Sequence, residues 1–289
     1  MTPITRRGFL RRSALAALCA LAARPGGAGA AGPATLLSAP IEITGDWNGS
    51  LPASVAAVAA RTRQACLGGV RLLSDRQPAR LRIEGRASGP PAIWLHPGEP
   101  DTAWVVLDVG ARDWSRLAYQ LGHELGHVLC NSWQPDAAPR PPSQWLEEAM
   151  VEAFSLRGLG RLAAIWQVEP PFLGDETFAL PVLDYRGKAN RRYRRAAPAA
   201  TPGAWFRERR APLEALSGLA PEAGPAVLAV LREIESDPAC VEDLGALNRW
   251  PERSALPLDR YLPAWRSSCA AIGASGRLPE RLAALLLGG

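Results

Sequence analysis

His123-Glu124-Leu125-Gly126-His127 sets two imidazoles four residues apart, with a carboxylate between them. Residues four apart on an α-helix share a face, so both rings can reach one ion. Zinc takes neutral imidazole nitrogens at about 2.0–2.1 Å, and H-E-x-x-H is a spacing that supplies two of them. Glu124 lies one position round the helix, outside the ligand pair. There it can take a proton from an attacking water and return it to a leaving group. The helix that must present these groups is predicted from Asp113 to about Leu129. Leu117, Leu121, Leu125 and Val128 recur at three- and four-residue spacing and form its buried stripe, roughly opposite the histidines. Gly122 and Gly126 each cost about 1 kcal/mol against Ala inside a helix. Lying four apart, they predict a shallow groove approached closely by another helix.

A third protein ligand is needed for a site of this kind. His96 on an upstream strand-like run and Cys130, three residues beyond His127, are two choices. Downstream, Trp145-Leu146-Glu147-Glu148-Ala149-Met150-Val151-Glu152 offers carboxylates. The metzincin pattern would place Gly and His three and six residues after His127; Cys130 and Trp133 stand there, which excludes that class. Across residues 103–156 the chain instead resembles the gluzincins, whose H-E-x-x-H helix is followed by a second helix carrying a glutamate ligand. Trp145-Leu146-Glu147-Glu148 is similar to the W-L-x-E of gluzincin aminopeptidases. Glu148 and Glu152 are similar to the acid pair in which the second member orients a ligating histidine. No G-x-M-x-N exopeptidase signature lies upstream, so aminopeptidase activity is not implied.

The resemblance implies Zn2+ held by His123, His127 and Glu148, with Glu147 as the rival ligand. It implies Glu124 as general acid/base, Glu152 behind a histidine, and hydrolysis of a peptide or protein substrate. In zincins a strand near the motif helix commonly pairs with extended substrate, which makes Ile93–His96 and Ala103–Val109 the expected edge. The oxyanion donor would come from His96, Tyr185, Tyr193 or Tyr261. Trp133 and Trp145 flank the loop between the two ligand helices, where core packing is the expected role. A non-catalytic zinc-bound binding or assembly protein, and a zinc hydrolase of a cell-wall amide, are the alternative readings. Glu124 favours turnover, because a purely structural site does not require that acid.

Around these helices the pattern predicts an α+β, zincin-like fold: a small mixed sheet with the motif helix in an N-terminal lobe, then a helical C-terminal lobe. Ile41–Thr44, Val70–Leu73, Leu81–Ile83, Ile93–Leu95 and Ala103–Val109 read as strands. Ser50 is the expected cap of a helix over 51–67. Ser143 is the expected cap of the ligand helix, which Gly158 and Gly160 should interrupt. The chain after Pro170 reads as irregular, and the last eighty or so residues as helices from Ala211, Pro225, Cys240, Leu258 and Pro279. The expected organisation is a leader over 1–30, a metallopeptidase-like core over 31–185 and a helical region over 186–289.

The chain has 289 residues, 47% of them apolar and 21% charged, which suits a globular fold. Its formal charge of +5 resides in the leader, since removing Arg6, Arg7, Arg11, Arg12 and Arg24 leaves 28 basic against 28 acidic residues. A generally basic, nucleic-acid-binding surface is therefore not expected. Residues 186–210 carry nine basic residues and one acid. They form either a solvated face or a peripheral contact with an anionic surface.

Polar, basic residues 1–12, the apolar run Ser13–Ala23 and Ala28-Gly29-Ala30 follow the order of an export signal, too short to span a bilayer. Thr5-Arg6-Arg7-Gly8-Phe9-Leu10 resembles the twin-arginine motif, which implies delivery to the periplasm or beyond. Cys66, Cys130, Cys240 and Cys269 would remain after cleavage; in an oxidising compartment they predict disulfides, with Cys240–Cys269 and Cys66–Cys130 preferred.

Overall fold

The computed structural model describes residues 34–96, 98–137, 140–196, 201–250 and 253–288. The predicted leader and its Ala28–Ala30 cleavage site lie outside the described residues. The chain is α+β. Its sheet holds β1 (Ile41–Gly45), β2 (Arg80–Gly85), β3 (Ala92–Trp94) and β4 (Thr102–Leu107) in the order β1-β2-β4-β3. β1 and β4 run parallel to β2, and β3 runs antiparallel to β4.

Alternation along the strands gives the sheet one dry and one wet face. Leu81, Ile83, Ala103 and Val105 are fully buried. On the other face Glu42, Arg82 and Trp104 share one register row. Arg82 Nε is 3.1 Å from Glu42 Oε2, and its guanidinium lies 4.6 Å over the Trp104 ring.

α1 (Pro52–Leu67) forms the crossover between parallel β1 and β2 and packs on β1. It starts with Pro52 in the first helical turn, where a missing N–H costs nothing. Ser50 does not cap it: its Oγ accepts from the Arg112 backbone N–H at 2.9 Å instead. Val70–Leu73 forms no strand. Arg71 turns its backbone N–H and guanidinium to Glu242, the nearest contact at 2.6 Å, so the segment is held by a carboxylate rather than a ladder.

α2 (Trp114–Leu129) begins at Asp113, whose Oδ1 accepts from the Arg116 N–H at 3.2 Å. α3 (Gln144–Val168) is one unbroken helix of 25 residues. Gly158 does not interrupt it; a Cβ there would lie 2.3 Å from Cys66 Sγ, so the glycine lets α1 close onto α3.

The segment after Pro170 is more ordered than its composition suggests. α4 (Ala179–Ala196) and α5 (Pro202–Glu214) occupy most of it. Val182 and Tyr193 are buried and Tyr185 and Ala189 half-buried, at the spacing of one helix face. Arginine pairs fill the other face and hide that period. The expected boundary at 185/186 falls inside α4. Then follow α6 (Gly224–Ser236), α7 (Ala239–Glu242), α8 (Leu258–Ile272) and α9 (Arg277–Leu286). α6 packs on α3, which is buried on nearly all sides.

The expected disulfides are not formed: all four remaining cysteines are buried thiols. Each has its own surroundings. Cys66 faces Gly158, Cys130 ends α2, Cys240 lies 3.6 Å from Arg281, and Cys269 donates weakly to the Asp243 carbonyl. Among the described residues no helix is long and apolar enough to cross a membrane.

Candidate metal centre

α2 and α3 lie against each other along the small-residue groove of α2. A Cβ at Gly126 would stand 2.8 Å from Val151 Cβ, and one at Gly122 would stand 3.0 Å from Ser155 Oγ. That approach brings the acids of α3 to the histidines of α2. His123 Nε2 lies 3.4 Å from Glu148 Oε2, and His127 Nε2 lies 3.6 Å from Glu148 Oε1. The two rings meet edge to face, 5.1 Å between centroids.

The other nitrogen of each ring is held from behind. His123 Nδ1 is 3.2 Å from Glu152 Oε2, and His127 Nδ1 is 3.0 Å from Glu147 Oε1. Each imidazole can donate from Nδ1 to its carboxylate and, while protonated, from Nε2 to Glu148; loss of the Nε2 proton would free that lone pair for a metal beside Glu148. Three ligand atoms, one from each of His123, His127 and Glu148, lie within 4.8 Å of one another. Ligands about 2.1 Å from a tetrahedral ion are roughly 3.4 Å apart, so the two nitrogen–oxygen separations suit one zinc with little movement.

Neither His96 nor Cys130 joins this set among the described residues. His96 is exposed beyond β3, its ring 5.3 Å from Trp104. Cys130 is a buried thiol whose pKa is raised by desolvation.

Glu147, the rival ligand by sequence, is placed behind His127. Its carboxylate also accepts from Ser132 Oγ, from Arg253 Nη1 at 2.9 Å and from Asn248 Nδ2 at 3.5 Å. Glu152 is fully buried and accepts from the hydroxyls of Tyr119 and Tyr193, each at 2.9 Å. Ser132, Asn248, Arg253 and Tyr119 carried no sequence signal for this role. Tyr119 alone was within reach of one, four residues before His123 on the same helix face.

The electrostatics follow from burial and these contacts. Desolvation alone would lower the histidine pKa values, but the hydrogen bonds to carboxylates outweigh it. Glu148 and Glu152 raise His123 to about 9, and Glu147 with Glu148 raise His127 well above its ordinary value. Glu148 is held below the usual carboxylate range, its hydrogen bonds to both rings outweighing its burial. Glu124 is 2% exposed, and burial pushes its carboxyl pKa up. That carboxylate makes no hydrogen bond to a described side chain, so it is free to meet a water.

β3 is one of the two edges of the sheet, the other being β1, and packs on α2. β4 is paired on both sides, so the expectation that Ala103–Val109 offers an edge is corrected; only Ile93 and Trp94 of the expected segments lie on the free strand. Of the four oxyanion choices, Tyr193 is engaged by Glu152, Tyr261 is fully buried and His96 points elsewhere. The Tyr185 ring lies 5.1 Å from that of Tyr119 at a tilt, and its hydroxyl makes no hydrogen bond to a described residue. Trp133 and Trp145 are core residues, Trp145 stacked on Phe206 at 5.8 Å. Comparison of the chain with protein-family models, with curated proteins and with solved structures finds no match.

Proposed function

We propose that the protein is an exported, zinc-dependent metallopeptidase of zincin-like, gluzincin type. The observation that carries this reading is the convergence of His123 Nε2, His127 Nε2 and the Glu148 carboxylate, with a separate acid behind each ring. Two nitrogens and one oxygen form the three-protein-ligand donor set of catalytic zinc sites. Bound there, zinc would polarise a carbonyl and make a water acidic enough to ionise near neutral pH.

The chain's own residues supply the rest. Glu147 and Glu152 hold the two rings from Nδ1, so that a metal displacing the Nε2 protons would meet both lone pairs already oriented. Glu124 holds the proton. Its raised pKa suits a base that takes a proton from water and returns it as acid to the departing amine. The free edge of β3 can pair with an extended chain laid beside α2. Tyr185, whose hydroxyl makes no hydrogen bond to a described residue, lies beside Tyr119, one helical turn before His123. Arg6-Arg7 and the apolar run after them support export to the periplasm or outside the cell.

The test is metal analysis of the purified protein, together with cleavage of an unbiased peptide library with and without chelator. One zinc per chain and chelator-sensitive cleavage are expected. A chain that binds zinc fully yet cleaves nothing across the library would instead be a binding protein.

A further inference from the structure

We propose that the cavity between α2 and α4 is an acidic-residue subsite, taking the carboxylate side chain of a substrate residue close to the scissile bond. It deepens the peptidase reading and rests on it. The cavity has a volume of about 280 Å3 and is lined by Tyr119, Tyr185, Lys188, Ala189, Arg192 and Tyr193. That is below the roughly 300–1,000 Å3 of a small-molecule pocket. It is room for one side chain.

Its chemistry is one-sided, since two cations and no acid line it. Three of the six cations on α4 are paired, Arg186 with Glu235 at 2.5 Å and Lys188 and Arg191 with Asp184 at 2.8 and 3.8 Å; of the other three, Arg192 is the one that lines the cavity. Arg192 forms no ion pair among the described residues. Of the tyrosines, Tyr119 and Tyr193 spend their protons on Glu152, while Tyr185 keeps a free O–H donor. An unpaired guanidinium beside an unpaired phenol is a donor set for a carboxylate. A cationic side chain would meet two like charges, and an amide could accept a hydrogen bond but would lack the ion-pair attraction.

Position ties the cavity to the metal-ligand cluster. Tyr119 stands four residues before His123, roughly 6 Å along the same face of α2. Through Glu152, Tyr119 and Tyr193 touch the carboxylate that holds His123. An extended chain advances about 3.3 Å per residue, so a side chain two or so residues from the scissile bond reaches this far.

The test uses matched peptides differing only by Glu against Gln at each position flanking the bond. The zinc-loaded protein should cleave the best-placed Glu peptide with kcat/KM about tenfold or more above its Gln partner. Arg192→Glu should abolish or invert that ratio. Arg195→Glu, an equal charge reversal exposed on α4 outside the cavity, should keep it. In parallel, the same peptides are titrated onto the Glu124→Gln protein by fluorescence anisotropy. There the Glu peptide should bind more tightly, and Arg192→Glu should remove the difference. Cleavage with equal rates for Glu and Gln peptides would overturn the subsite and leave the peptidase standing. With no cleavage of any peptide, the peptidase reading fails and the binding arm decides: an Arg192-dependent preference for Glu upholds the anionic subsite, and equal binding overturns it.

Discussion

Arg253 Nη1 meets Glu147 Oε2 at 2.9 Å although 106 residues separate them. Both side chains are almost fully buried, at 4% and 1% exposure. Nε and Nη2 of the same guanidinium bond the Ala137 carbonyl at 3.2 and 3.0 Å. One arginine from the C-terminal part of the chain thus anchors the acid behind His127 and the loop between the two site helices. Removing it takes the arginine charge from a buried carboxylate and leaves it to His127, Ser132 and Asn248; breaking a buried pair typically costs up to about 3–5 kcal/mol. Arg253→Ala should lower the urea midpoint accordingly. Adding Glu147→Gln should recover part of the loss, because the stranded charge is then gone. An Arg253→Ala protein as stable as wild type would mean the pair is not formed.

The adjacent acids of α3 should separate cleanly in metal content. Glu148→Ala should lose zinc, as His123→Ala and His127→Ala should. Glu147→Gln should keep it with affinity about 10–100-fold weaker, the usual effect of losing a ligand's hydrogen-bond partner. Zinc retention by Glu148→Ala, with loss in Glu147→Gln, would exchange the two roles.

Glu124→Gln conserves volume and hydrogen bonding but cannot accept a proton at neutral pH. Fold and zinc occupancy should be unchanged. Turnover should fall by roughly 10²–10⁴-fold. Wild-type turnover in this variant would refute the proton-transfer role.

Gly126→Ala tests the helix contact. In an exposed helix the change stabilises by about 1 kcal/mol. Here the new Cβ meets Val151 Cβ at 2.8 Å, and overpacking of this kind costs about 1–3 kcal/mol. Thermal denaturation should show a lower Tm. Gly187→Ala on α4 is the comparison, since its new Cβ meets only the mobile end of Arg191 at 3.2 Å. That variant should match or exceed the wild-type Tm. If Gly126→Ala also did so, α2 and α3 would not be in contact there.

Export should depend on the arginine pair of the leader. Replacing Arg6 and Arg7 by Lys should retain the precursor in the cytoplasm, as read by fractionation and immunoblotting. Periplasmic delivery of that variant at the normal rate would rule out the twin-arginine route.

What the sequence determined by itself is what depends on near neighbours along the chain. The phase of His123, Glu124 and His127 follows from helical repeat alone, as does the shared face of Glu148 and Glu152. The glycine groove was legible for the same reason, and so were the Asp113 cap and most of the short strands. Which acid stands at Nε2 and which at Nδ1 was decided by how α3 settles on α2, because Glu147 and Glu148 are one residue apart and either could turn inward. Arg253 and Asn248 reach Glu147 across more than a hundred residues, and no spacing encodes that. Tertiary packing also ordered α4, whose helical period lay under its arginines. It kept the four cysteines apart, since each thiol is placed by the helix that carries it. It put β3 rather than β4 at an edge, because strand order depends on which neighbour completes the ladder, a contact made only once the chain has folded.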